Sequence, residues 1–243
     1  MSGVRILCNQ YPARTDWKRD YIVIQSKLAT KSPLTAIASF DLWNPLDNSG
    51  NGYLVNPGGA KIQPWGLHYD DGASPSKTTL TKSGQGAVSF IVAFRLSRLD
   101  RYINIFSNRT TGVGFNLYYS AGIYMSYIYP SGTPGTIASA GVLTPEIDKW
   151  YVAAGVFDPV NKTASVRISD LGLQYGPIGT SFPANNLLDT PVSIGGDPNG
   201  STTSSMAGDV AFLAFYDGAF STEQRDAIVD VGLEVLRDRA LIA

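Results

Sequence analysis

Acid–base and nucleophilic chemistry in this chain has very few side chains to draw on. His68 is the only histidine and Cys8 the only cysteine, so a Ser-His-Asp triad or a histidine base has a single position to use. No Gly-x-Ser-x-Gly stretch marks a serine nucleophile, and Cys8 stands in a basic stretch far along the chain from His68. Glycoside hydrolysis asks for two carboxyl groups roughly 5 to 10 Å apart. The three glutamates offer no such pair: Glu146 stands with Asp148 in the turn "TPEIDKW", and Glu223 and Glu234 belong to a C-terminal segment of helical pattern. Runs such as "GSTTSS" and "PSGTPG" lack the Gly-Lys-Ser/Thr ending of a phosphate loop, and no paired Cys/His spacing suits zinc. No catalytic residue is named, and the chain is expected not to be an enzyme.

Metal chemistry is suggested at two places. In "DNSGNG", Asp47, Ser49, Asn51 and Gly52 fall where an EF-hand loop sets its first three side-chain ligands and its turning glycine. The position that must carry the bidentate carboxylate is Gly58, and the flanks are strand-like. The Asn51-Gly52 pair favours the positive φ angles of a tight hairpin, so the stretch is read as a corner. Asp70 and Asp71 in "HYDDG" leave open a Ca2+ site assembled from several loops, the one cofactor considered.

Binding chemistry is denser. Tyr118, Tyr119, Tyr124, Tyr127 and Tyr129 crowd one short segment. If Phe115, Leu117 and Tyr119 point into a core, Asn116 and Tyr118 point out, and Ser126 suggests that Tyr124 faces out with it. Asn116, Tyr118, Tyr124 and Ser126 would then share one sheet face. Aromatic rings suit the apolar faces of sugars, and hydroxyl and amide groups supply hydrogen bonds. These four are the candidate binding residues; the competing reading is ordinary β packing with tyrosines at the rims.

The elements that must position them are strands. Charged residues make up 16% of the chain, and Gly and Pro together are abundant at 25 and 14 residues, a composition of many short strands and turns. "GAVSFIVAFRL" sets Val88, Phe90, Val92, Phe94 and Leu96 on one face, with a partly apolar second face. "GFNLYYS" and "GIYMSYIYP" read as a hairpin about Ala121-Gly122. "KWYVAAGVFD" sets Trp150, Val152, Ala154 and Val156 on one side, "TASVRIS" follows, and "TPVSIGG" and "GDVAFLAFYDG" are the last strands. The end differs: Ser221 and Gln224 have capping-box spacing, and Ile228, Val231 and Val235 recur at helical intervals, predicting a helix from near Thr222 to Ala240. Gly232 weakens that helix by about 1 kcal/mol relative to alanine. At the other end, residues 1–35 form a basic arm, in which Arg5, Arg14, Lys18, Arg19, Lys27 and Lys31 face only Asp16 and Asp20; "DYIVIQSKL" within it reads as a strand. The division is thus an arm over 1–35, a sandwich over 36–220 and an amphipathic helix over 221–243.

In order, these segments resemble the laminin G-like branch of the concanavalin A-like lectin/glucanase superfamily. The likeness lies in "DNSGNGYLV", in "AVSFIVAFRL" followed by "NIFSNRTTGVGFNLYYS", in "DKWYVAAGVFDPVNKTASVRISDLG", and in "VSIGGDPNGSTTSSMAGDVAFLAFYDGAFSTEQRDAI". It implies an all-β jelly-roll sandwich of two antiparallel sheets, one curved to give a concave face. The Glu-x-Asp-x-(x)-Glu strand of the glucanase branch is absent. "YYSAGIY" resembles the Tyr-x-Lys-Ala-Gly-x-Tyr strand of alginate-lyase-like jelly rolls, with Ser120 at the lysine; a lyase-like enzyme would use His68 and Tyr124 as base and acid, if folding brings them together.

Nineteen basic against twenty acidic side chains leave a formal charge of −1, so no global field draws the chain onto nucleic acid or an anionic membrane. No run approaches the roughly 18 apolar residues of a membrane helix, and the N-terminus has no signal-peptide pattern. Lectin-like scaffolds usually act outside cells, so a chain made in the cytoplasm without a signal suggests a phage virion component, released by lysis and found in the virion or outside the cell. The arm and the helix would then hold neighbouring virion subunits, in a homo-oligomer or a larger assembly, while the sandwich recognises cell-surface glycan or protein as a decoration, tail or receptor-binding module; the competing reading of the helix is that its apolar stripe covers the chain's own sheet. A purely structural capsid or tail protein without a ligand is the third reading.

Overall fold

The computed structural model describes residues 28, 31–44, 47–81, 86–110, 114–128, 134–137, 144–158, 161, 163–177 and 188–243. The expected strand "DYIVIQSKL" apart from its last residue Leu28, Cys8 and most of the basic arm lie outside them. Among the described residues two antiparallel sheets face each other. The first contains β1 (Ala36–Asp41), β3 (Lys61–Gln63), β4 (Gly66–Tyr69), β6 (Val88–Leu96), β11 (Trp150–Asp158), β12 (Thr163–Ile168), β13 (Gly172–Pro177) and β15 (Gly208–Asp217), in the order β13-β12-β11-β6-β15-β4-β3. The second contains β2 (Val55–Asn56), β5 (Ser76–Thr78), β7 (Ile103–Ser107), β8 (Gly114–Tyr119), β9 (Ile123–Ile128), β10 (Pro134–Ile137) and β14 (Ser193–Ile194), in the order β10-β9-β8-β7-β14-β5-β2. Strand β15 is long enough to serve two partners along one edge, β4 against Gly208–Val210 and β1 against Phe212–Tyr216, and its register shifts where one gives way to the other. The fold is a jelly-roll sandwich, as the alternating strands predict.

Period-two alternation builds two apolar layers from the first sheet. Val88, Phe90, Val92, Phe94 and Leu96 of β6 point toward the second sheet and share one core with Phe157 and Phe215 of their own sheet and Phe106 and Phe115 of the second. The rings pack edge-on, Phe90 against Phe106 at 4.9 Å between centroids and Phe115 against Phe157 at 4.7 Å, the arrangement their quadrupoles favour. Trp150, Val152, Ala154 and Val156 do share one side of β11, but that side faces away from the second sheet, together with Ile91, Ala93, Phe212 and Ala214.

Helix α1 (Thr222–Asp238) covers this outer layer. Its start is the predicted capping box: Ser221 Oγ accepts from the Gln224 amide, and the Gln224 side chain accepts from the Ser221 amide. Ile228, Val231 and Val235 are buried against the sheet with Val229 and Leu236, each such burial contributing about 1.5–3 kcal/mol. The apolar stripe therefore closes the chain's own sheet, and the polar side of α1 is the side left for a contact with neighbouring subunits. Gly232 also acquires a role that its helix propensity hides. A Cβ there would stand 2.7 Å from Val152 Cγ1 and 3.1 Å from Ile91 Cδ1, so glycine sets how closely the helix approaches β11 and β6. The segment before β1 joins the same layer, where Leu28 is buried and Lys31 pairs with Glu234 at 3.1 Å.

Candidate functional site

With the first sheet covered by α1, the outer face of the second sheet carries the chain's aromatic and amide groups. Strand register sets them in two rows. Ser193 lies opposite Ser107, Ser107 opposite Asn116 and Asn116 opposite Ser126, while Asn104 lies opposite Tyr118 and Tyr118 opposite Tyr124. Their neighbours Ile103, Ile105, Phe115, Leu117, Tyr119, Ile123 and Met125 belong to the core between the sheets. Asn116, Tyr118, Tyr124 and Ser126 thus share one face, as alternation requires, and the hairpin that aligns them turns at Ser120–Gly122 with Ala121 in the left-handed region at φ 55°.

Sharing a face does not make all four accessible. Asn116 is 0% exposed, Ser126 2% and Tyr118 8%, and only Tyr124 is half-buried. All four point away from the core, and Asn116 and Ser126 are closed from solvent for a physical reason: the amide and the hydroxyl are consumed by a hydrogen-bond network. Ser126 Oγ donates to Asn116 Oδ1 at 2.5 Å, and Asn116 Nδ2 donates to Asn104 Oδ1 at 2.6 Å and to the Tyr102 hydroxyl at 2.8 Å. The Tyr102 hydroxyl donates to Asn104 Oδ1 at 3.1 Å, and Arg109 Nη1 donates to Ser126 Oγ at 3.1 Å. Above this floor three tyrosines run from just before β7 across β8 and β9: Tyr102 lies 4.9 Å from Tyr118, and Tyr118 stacks on Tyr124 at 5.6 Å with 27° between planes. Burial pushes the Tyr102 phenol up to about 12, against the pull of the Arg109 guanidinium, so it stays a neutral donor and acceptor at physiological pH.

Three members of this site were missed from the sequence. Tyr102 and Asn104 alternate with Ile103 and Ile105, so their placement was available from the same period-two signal. Arg109 was not: it follows β7 in a loop and reaches Ser126 on β9, with its backbone packed closely against Gly114. Gly114 has φ 142°, and a Cβ on it would stand 2.7 Å from Arg109 Cα. At the other side of the face Asp197 accepts from Ser107 Oγ and Ser204 Oγ, each at 2.9 Å.

His68 is elsewhere. It lies on β4 between the core residues Leu67 and Tyr69, so it projects from the outer face of the first sheet, whereas Tyr124 projects from the outer face of the second. The sandwich stands between them, which removes the His68–Tyr124 base–acid pair of the lyase-like reading. His68 Nδ1 donates instead to Asp209 Oδ1 at 2.9 Å, and the same carboxylate receives Trp65 Nε1 at 2.8 Å and Arg95 Nε and Nη2 at 2.8 and 2.6 Å. A carboxylate filled by four donors is a structural clasp on β15. An open depression of about 470 Å3 lies beside it, lined among others by His68, Asp70, Asp71, Arg98 and Ile147.

The metal candidates are also occupied. Asp47 accepts from the Ser39 and Ser49 amides at 2.8 and 2.9 Å and from Ser49 Oγ at 2.6 Å. "DNSGNG" is a corner, but not the tight hairpin expected of Asn51-Gly52: the positive φ angles fall on Gly50 and Gly52, and Asn51 instead donates its amide to the Ile37 carbonyl at 2.8 Å. Asp70 pairs with Lys61 at 2.5 Å, and this bond holds its carboxyl below the usual carboxylate range. Asp71 pairs with Arg98 and Arg101. Among the described residues no three His, Cys, Asp or Glu side chains group as a metal site, and no helix is long and apolar enough to cross a membrane.

No protein-family model and no curated protein sequence matches the chain. Solved structures do resemble it. Domain 4 of a GH43 extracellular arabinanase from Geobacillus stearothermophilus, solved with arabinotriose, aligns over 81% of this chain and 98% of its own length with a TM-score of 0.63 and 13% identity. The binding domain of botulinum neurotoxin serotype D aligns over 86% of this chain but 53% of its own length, with a TM-score of 0.62 and 12% identity. A type C neurotoxin structure, whose cell entry is described as dependent on two ganglioside molecules, aligns over 86% and 52% with a TM-score of 0.57 and 11% identity. At such identities the likeness is one of fold, and the chain spans about half the length of the neurotoxin structures it matches.

Proposed function

We propose that the chain is a non-enzymatic recognition module that binds glycan on the outer face of its second sheet. The observation that carries this reading is the Tyr102–Tyr118–Tyr124 stack seated on a hydrogen-bonded floor of Asn104, Asn116 and Ser126. Stacked aromatic edges offer a surface to the apolar face of a sugar ring, and a pinned floor keeps that surface from reorganising on binding. The sandwiches it resembles include one solved with an arabinose trimer and one whose cell entry depends on gangliosides, which favours a glycan over a protein ligand. The laminin G-like kinship and the virion setting, with neighbouring subunits as partners, belong to the same proposal; detection of the chain among the proteins of purified particles tests the setting.

A glycan array probed with the natural chain, Tyr118→Ala and Tyr124→Ala tests the ligand. Binding by the natural chain that both variants lose, with β-sheet circular dichroism retained, is the expected result. Silence across the array with ordered copies on a particle would instead favour the purely structural reading.

A further inference from the structure

We infer that the ligand of the tyrosine face is an acidic sugar, whose carboxylate is held by Arg109. This rests on the glycan-binding reading and adds the ligand's charge. Arg95, Arg98, Arg101, Arg167 and Arg239 each lie against a carboxylate, and Arg225 and Arg237 belong to α1, which lies over the first sheet and away from this face. Arg109 does not: among the described residues its half-buried guanidinium makes the one bond to Ser126 Oγ and no ion pair. The carboxylate on this face, Asp197, is turned to Ser107 and Ser204. Ser107 is on β7 and Ser126 on β9, two strands apart and so about 10 Å by the usual strand spacing. The two charges are anchored at opposite sides of Asn116 and form no ion pair with each other.

The floor beneath points the same way. It runs from donor to acceptor, Arg109 to Ser126, Ser126 to Asn116, Asn116 to Asn104 and Tyr102, and Tyr102 to Asn104. Each side-chain acceptor in this run already receives a donor. What is left over is donors: the remaining N–H groups of Arg109 and, at the buried end, Asn104 Nδ2, which has no partner among the described residues. Orphaned buried donors are rare and call for an explanation. A sugar hydroxyl both donates and accepts, whereas a carboxylate only accepts, so the surplus matches the acid. The planar guanidinium fork, placed beside a tyrosine surface that would carry the sugar ring, suits a planar carboxylate with two parallel bonds.

The test is calorimetric binding of uronate trimers, galacturonate, mannuronate and glucuronate, beside the neutral trimers of galactose, mannose and glucose, to the full chain at low and high salt. A uronate should bind at least about tenfold more tightly than its neutral counterpart at low salt, and the advantage should shrink as salt rises. Arg109→Gln should bring the ratio of the two affinities close to one, and Arg109→Lys, which keeps the charge without the fork, should leave it in between. A ratio near one in the natural chain overturns the proposal even if Arg109 variants fail to fold, and leaves glycan binding standing. A ratio that survives Arg109→Gln, or tighter binding of a sulfated galactose trimer than of any uronate, also overturns the assignment to a carboxylate at Arg109. Binding of no trimer and no glycan on the array removes the glycan reading with it.

Discussion

The two outer faces of the sandwich obey the same alternation and reach opposite chemistries. On the first sheet the outward positions are Ile91, Ala93, Val152, Ala154, Phe212 and Ala214, and a helix lies on them. On the second they are Asn104, Ser107, Asn116, Tyr118, Tyr124 and Ser126, tied into a polar floor with an aromatic surface. Both are largely buried, for different reasons. The first is a dry contact in which side-chain volume decides stability; the second is a hydrogen-bond network in which completeness decides it. An outward residue in a sandwich therefore takes its role from what lies over it.

That contrast can be broken at its tightest point. Gly232→Val forces methyl groups into Val152 and Ile91 and should cost about 3 kcal/mol in denaturant unfolding. Gly232→Ala is the sharper case: helix propensity alone predicts a gain of about 1 kcal/mol, whereas the 2.7 Å approach to Val152 Cγ1 predicts a loss. A measured gain would mean that the helix does not sit where size matters.

On the second face the equivalent intervention is polar. Asn116→Ala leaves the Ser126 hydroxyl without its acceptor and the Asn104 carbonyl and Tyr102 hydroxyl without that donor, and should cost about 2 kcal/mol although almost no volume contact with the core is lost. An unfolding midpoint equal to that of the natural chain would show that the floor is not closed as described. Tyr124→Ala, at the half-buried end of the stack, should change stability by less than about 1 kcal/mol while removing glycan binding, separating the ligand surface from the floor beneath it.

The smallest expected effect lies at the end of the helix. Asp41 and Arg239 form an ion pair at 2.8 Å that ties β1 to the chain just past α1. Burial raises the Asp41 carboxyl above its ordinary value, with Arg239 pulling it back. In the window between the ordinary and the raised value the native chain holds a proton that the unfolded chain has released, so this group's contribution to stability falls as pH rises through it. Thermal unfolding across mildly acidic pH should show the natural chain losing stability relative to Asp41→Asn as pH increases; the opposite slope would mean that the ion pair outweighs burial.

Much of this molecule was readable residue by residue. The two faces of β6, the β8–β9 hairpin, the capping box at Ser221 and the common face of Asn116, Tyr118, Tyr124 and Ser126 each follow from a period or a short spacing, and each is found. The signal for Tyr102 and Asn104 was also present, in their alternation with Ile103 and Ile105, but nothing local linked them to residues on β8. Local patterns misled where a distant group intervened. "DNSGNG" is the expected corner but not the expected tight hairpin, because the Asn51 side chain donates to the Ile37 carbonyl of β1, and Gly232 proved to be a point of close approach because β11 and β6 lie beneath it.

By itself, then, the sequence determined which residues alternate, where the helix starts, and that strands rather than helices make the body, because these depend on backbone geometry within a few neighbours. Tertiary structure alone decided that α1 closes the first sheet, that His68 and Tyr124 stand on opposite sides of the sandwich, and that Arg109 reaches Ser126 across β8. Those outcomes depend on strand order and on contacts between residues distant in the chain. Strand order is settled by packing and pairing over the whole chain, and no local period encodes it.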